Sequence, residues 1–71
     1  MERENVESSV MTSIGYDRGS ATLEIEFKNS SQVWQYYEVA EQVYLELMHS
    51  DSKGRFFNNS IKGHYQEARV Q

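Results

Sequence analysis

The residues with the most chemistry in them are Ser52, Lys53, Gly54 and Arg55, then Lys62 and Arg69, and the aromatic pair Trp34 and Tyr36. Ser52 can cap a helix, and Asp51 beside it suits the positive end of the helix dipole. Lys53 and Arg55 do not suit it, because a helix start prefers anions by ~0.3–1 kcal/mol. Free backbone N–H groups, a glycine permitting close approach and two cations make an anion or phosphate site instead. The plainer reading is that neighbouring carboxylates neutralise these cations on a solvated surface. No nucleotide-binding P-loop is present, since the chain lacks a G-x-x-x-x-G-K-[ST] run.

Trp34 and Tyr36 stand two residues apart, so on a strand they share one face. On an open face they would stack nucleobases, each worth ~1–3 kcal/mol. Turned inward, they would be core. The preceding turn decides. A two-residue loop at Asn29-Ser30 pairs Ile25 with Trp34 and Leu23 with Tyr36, which puts the aromatics in the core. A three-residue loop pairs Ile25 with Gln35 and exposes them, because a one-residue slip reverses every side chain. The inward register is preferred, since so small a chain can rarely leave a tryptophan out.

The remaining candidates are weaker. His49 and His64 lack partners at metal-ligand spacing and read as surface residues, so no metal or other cofactor is expected. Ser, His and Asp are all present without a nucleophile elbow, and no catalytic residue is assigned. Glu24 and Glu26 share a strand face but read as solvated charges and not as a catalytic pair. A domain of this size has little volume for a closed pocket, so the chain is read as a non-enzyme.

These side chains need elements to hold them. Seventy-one residues make one domain, and without cysteine there are no disulfides or thiolate zinc sites to reinforce it. Residues 1–7 have almost no apolar content and read as a flexible N-terminal arm, with a single domain over 8–71. Val10, Thr12, Ile14 and Tyr16 alternate with polar or small residues, a strand. Asp17 to Ser20 is a turn, with Gly19 available for positive φ. Leu23, Ile25 and Phe27 alternate with Glu24, Glu26 and Lys28, the cleanest two-residue period in the chain. A third strand follows from Gln32 to Tyr37. The period then becomes helical: Val39, Val43, Tyr44, Leu47 and Met48 share one side. A second, short helix after Ser52 is anchored by Phe57 and Ile61 and ended by Gly63. Tyr65 to Val70 reads as a last strand or an extended tail. The predicted fold class is therefore α+β, a three-stranded antiparallel meander followed by two short helices packed on one face.

The order of these pieces resembles the KTSC domain. Ser8-Ser9-Val10, Ile14-Gly15-Tyr16-Asp17, Leu23 to Phe27, Trp34-Gln35-Tyr36, Val43-Tyr44, Asp51-Ser52-Lys53-Gly54, Phe57-Asn58, Ile61-Lys62-Gly63 and Tyr65 carry the likeness over about residues 8–70. That family is named for its place at the C-terminus of some lysyl-tRNA synthetases. Its members also stand alone in bacteria and phage-like genomes, and RNA binding has been suggested for them. Three positions depart from the pattern. The family's Tyr-x-Tyr is Trp34-Gln35-Tyr36, its usual proline at the first helix is Ala40, and its often Lys- and Arg-rich tail carries fewer fixed cations.

Charge bounds the function. Net charge is −4, against a strongly cationic nucleic-acid binder. It is unevenly spread: residues 1–51 hold Arg3, Arg18 and Lys28 against ten carboxylates, while residues 52–71 hold four cations against Glu67. An acidic body with a basic C-terminal third can orient a charged partner. The reading is a binding module for RNA or single-stranded nucleic acid, through Ser52, Lys53, Gly54, Arg55, Lys62, Arg69, Trp34 and Tyr36. The alternative is a protein-interaction or structural module, such as a homodimer, without a nucleic-acid ligand. No membrane span is expected, and the lack of cysteine and of an apolar N-terminal signal fits a cytoplasmic protein.

Overall fold

Alternation in the sequence becomes an antiparallel sheet in the computed structural model, which describes all 71 residues. The elements are β1 (Glu4–Asn5), β2 (Met11–Asp17), β3 (Thr22–Phe27), β4 (Val33–Tyr36), α1 (Glu41–His49), α2 (Lys53–Ser60) and β5 (Glu67–Arg69). The strands lie side by side in chain order, β1-β2-β3-β4-β5. The three predicted strands are the middle of this meander, and the C-terminal segment is its last strand.

The β3–β4 register is the inward one. Leu23 pairs with Tyr36 and Ile25 with Trp34. The loop closes with Phe27 N–H donating to the Gln32 carbonyl at 2.9 Å, and Ser31 takes a left-handed φ of 57°. In β2 the sequence is corrected. The register shifts between Met11 and Ser13, a bulge that inserts one residue into the strand. Met11 thereby turns to the core and is fully buried, while Val10, read as inward, is left exposed. A second correction concerns the β2–β3 turn. Positive φ falls on Ala21, at 54°, and not on Gly19.

One face of the sheet is closed by both helices. Met11, Ile14, Leu23, Ile25, Tyr36, Val39, Leu47, Phe57 and Ile61 form the core. Phe57 on α2 sits edge-on to Phe27 and Tyr36, with ring centroids 5.4 and 5.6 Å away. Such contacts add ~0.5–1.5 kcal/mol to the burial of the rings. Tyr16 on β2 stacks on Tyr44 of α1 at 5.1 Å and donates its hydroxyl to the Val39 carbonyl at 2.6 Å. Val43, expected as core, is only half-buried: of the residues in this stripe only Leu47 is fully enclosed within the helix, and Val39, also fully buried, lies ahead of it. Ala40 caps α1 at φ −64°, the angle a proline would fix. No helix is long and apolar enough to cross a membrane.

On the other face of the sheet the N-terminal residues reach across β2, Arg3 as far as β3. The segment read as a flexible arm is laid along the sheet edge, with Glu4 paired to Ile14 and Asn5 to Ser13. Its hold is ionic. The Arg3 guanidinium bonds to the Glu24 carboxylate, and its Nε donates to Ser13 Oγ at 2.9 Å. Gln35 Nε2 donates to the second Glu24 oxygen at 2.8 Å. Glu24 is 6% exposed, so the reading of this residue as a solvated charge is corrected. Burial pushes its carboxyl up, but the hydrogen bonds from Gln35 and Arg3 and the Arg3 charge hold it below the ordinary 4.5.

Candidate nucleic-acid interface

The structure divides the eight predicted site residues into two groups at opposite ends of α2. At its start, Ser52 caps the helix, with its Oγ accepting from the Arg55 N–H at 3.3 Å and its carbonyl accepting from the Phe56 N–H at 3.0 Å. Gly54 has a packing reason of its own: a Cβ there would lie 2.8 Å from Val10 Cγ2. Arg55 is exposed and Lys53 half-exposed, and neither forms an ion pair. These two are free cations on a helix start whose cap is already filled.

The second group converges. Beyond the end of α2, Lys62 meets β3 and β4 at a groove of about 350 Å³ lined by Phe27, Ser30, Gln32, Trp34, Tyr36, Phe57, Lys62 and Glu67. Tyr36 is buried and forms part of its floor, while Trp34 is half-buried. The strand period puts both on the helix-bearing face, but only Tyr36 is covered by Phe57. Trp34 Nε1 donates to Gln32 Oε1 at 3.1 Å, which fixes the indole at the rim. Across the ladder, Trp34 pairs with Arg69 and Tyr36 with Glu67. Directly opposed side chains share a face with Cβ atoms about 4.5–5.5 Å apart. Arg69 is therefore an immediate neighbour of Trp34. Burial raises the Tyr36 hydroxyl pKa, with the Glu67 charge adding to the effect, so it stays protonated at any physiological pH.

Four predicted residues, Trp34, Tyr36, Lys62 and Arg69, thus share one corner of the molecule. Ser52, Lys53, Gly54 and Arg55 stand away from it by the length of an eight-residue helix, about 12 Å. Phe27, Ser30, Gln32, Phe57 and Glu67 were missed as groove residues. Phe27 was visible as an inward strand residue, but Glu67 joins only through the pairing of β5, which its short sequence does not announce.

A larger recess of about 630 Å³ lies between Tyr37, Glu38, His64, Tyr65 and Gln66. It has a carboxylate at its wall and no lysine or arginine, so it suits an anionic ligand poorly. No three His, Cys, Asp or Glu side chains converge to hold a metal ion.

Fold and groove together define a small α+β domain with a partly exposed aromatic surface. The family model for the KTSC domain matches residues 7–65, and the chain belongs to that family. It is similar to the crystal structure of a KTSC domain protein from Yersinia pestis, with TM-score 0.94 and 38% identity, covering 99% of this chain and 97% of that one. It is also 38% identical over 71 residues to an uncharacterized protein of Stutzerimonas stutzeri, 99% of each chain being covered. A lysine–tRNA ligase of Nostoc punctiforme is 39% identical over 59 residues, which are 83% of this chain and 10% of the ligase. This chain spans only that small part of the ligase.

Proposed function

We propose that this KTSC domain is a non-enzymatic binding module that takes single-stranded RNA at the Trp34 groove. The observation that carries the reading is a half-exposed indole in a groove that Lys62, from the end of α2, also lines, with Arg69 of β5 opposite Trp34 in the ladder. A base stacks on Trp34, sequence-tolerantly, while Lys62 and Arg69 take the flanking phosphates. Ser30 and Gln32 offer hydrogen-bonding groups at the rim. Lys53 and Arg55 add phosphate contacts for strands long enough to follow α2. The occurrence of a similar segment in a tRNA ligase supports an RNA context.

The acidic body keeps binding weak. With two phosphates neutralised, the slope of log K against log salt is about −1.4, the single-strand value for two released counterions. The test is quenching of the single tryptophan, Trp34, by short unstructured RNA at several salt concentrations. Saturable quenching that weakens with salt and is lost in Lys62→Glu with Arg69→Glu is the expected result. Quenching indifferent to salt and to both substitutions would refute the reading.

A further inference from the structure

A second site lies on the opposite face of the sheet, and the chain itself fills it. Arg3 is the only residue of the first five that is not exposed. It lies immediately before a strand of two residues, and its side chain enters a recess walled by β2 and β3, with Gln35 of β4 holding the far side of Glu24. Nε donates to Ser13 Oγ at 2.9 Å, Nη1 to Glu24 Oε2, and Nη2 lies 4.0 Å from Glu26 Oε1. The acceptors are themselves fixed. Ser13 Oγ donates to Glu26 Oε1 at 2.9 Å, Gln35 Nε2 holds the far oxygen of Glu24 at 2.8 Å, and the Tyr37 hydroxyl holds Gln35 Oε1 at 3.0 Å. The Glu24 side chain is only 8% exposed. A planar donor fork matches this set, and a point charge does not.

The main chain has its own place beside the recess. A Cβ on Gly15 would come within 2.3 Å of the Glu2 carbonyl oxygen. Any other residue there would push the incoming backbone away. The recess therefore accepts two things at once, a guanidinium and the extended backbone that carries it. Strand addition to a sheet edge with one side chain in a pocket is a recurring mode of peptide recognition. The N-terminal residues use that mode in cis.

We propose that Ser13, Gly15, Glu24, Glu26 and Gln35 form a recognition site for an arginine on an extended segment, which Arg3 occupies in cis and an arginine-bearing peptide occupies in its place. Such a partner is basic where the chain is acidic, and it docks on the sheet face remote from the Trp34 groove. Nothing in this site depends on RNA.

The test uses the full-length Arg3→Ala chain, read by amide NMR. Methylguanidinium at millimolar concentration should give saturable shifts at Ser13, Glu24, Glu26 and Gln35. Methylammonium should bind at least about tenfold more weakly, the equivalent of one charge-assisted hydrogen bond. A peptide of the sequence of residues 1–7 should shift the same amides, and its arginine-to-alanine version should not. The wild-type chain should not respond to methylguanidinium, and Glu24→Gln added to Arg3→Ala should abolish the response. If Arg3→Ala is unfolded alone, recovery of the native spectrum on adding methylguanidinium is read in place of the shifts. No saturable response, equal affinity for the two cations, or shifts that survive Glu24→Gln would overturn the site. Methylguanidinium binding without peptide binding would confine the recess to Arg3 and overturn the exchange.

Discussion

The two faces of the sheet bury side chains by opposite means. On the helix face, Leu23, Ile25 and Leu47 lose all contact with water among other apolar side chains. On the other face, Glu24 is almost as deeply buried, but beneath an arginine and a glutamine. Apolar burial is non-directional and tolerates approximate fit. The polar face depends on each donor meeting its acceptor, because an unmet group keeps its full desolvation cost. No buried side-chain polar atom lacks a partner, so the polar face is complete as it stands. The difference shows two ways of burying side chains on one small sheet: helices pack over one face, while on the other Arg3 and Gln35 satisfy a buried carboxylate.

The contrast breaks most visibly in the core. Leu47→Ala should cost ~2–5 kcal/mol in reversible denaturation, enough to unfold much of a marginal domain. A loss under ~1 kcal/mol would mean that the helix face is less closed than its burial indicates. Glu24→Ala comes next, at ~1–3 kcal/mol, because it strands the Arg3 guanidinium and the Gln35 amide. A neutral outcome in thermal melts would show that water already serves these groups.

Acid separates the faces without mutation. The folded Glu24 carboxyl lies below its ordinary 4.5, so its charged form favours the native state. That contribution is whole above the unfolded value and is lost as pH falls through the folded one. Between about pH 6 and about pH 3, the wild-type chain should lose more stability than Glu24→Gln. Parallel losses would place the acid sensitivity elsewhere. The smallest effect is at the β2–β3 turn. Ala21 holds a left-handed φ that costs an L-residue about 1–2 kcal/mol, while glycine gives back about 0.4–1 through the unfolded chain. Ala21→Gly should stabilise by about 0.5 kcal/mol, seen as a small rise in denaturation midpoint. A clear destabilisation would show that the strain is relieved by its neighbours.

Much of this architecture is legible in the sequence, for identifiable reasons. Leu23 to Phe27 alternates so cleanly that the middle strand and its faces follow directly, while the register that brings Tyr36 inward rests on the length of the following loop and on the need of a small chain to bury its aromatics. Phe57 and Ile61, four apart, announce the second helix. The bulge after Met11 is invisible because the segment contains apolar residues in both phases. β1 carries no periodic signal, since Glu4 and Asn5 are held by ladder bonds and by Arg3, which precedes them. Glu24 reads as wet for the same reason: its partner is twenty-one residues away in the chain. As for the candidate site, the aromatic pair and the cations were individually apparent. Their division into a Trp34 corner and a Ser52 helix start depends on the direction of α2, which periodicity does not specify.

The central claim is that the Trp34 corner is where RNA binds, and amide NMR during titration with a short single-stranded RNA tests it most directly. The account predicts shifts at Phe27, Ser30, Gln32, Trp34, Lys62 and Arg69, growing with concentration and shrinking with salt, while residues 51–56 move little with the shortest oligonucleotides. Shifts centred on residues 51–56, or none at millimolar RNA, would contradict it.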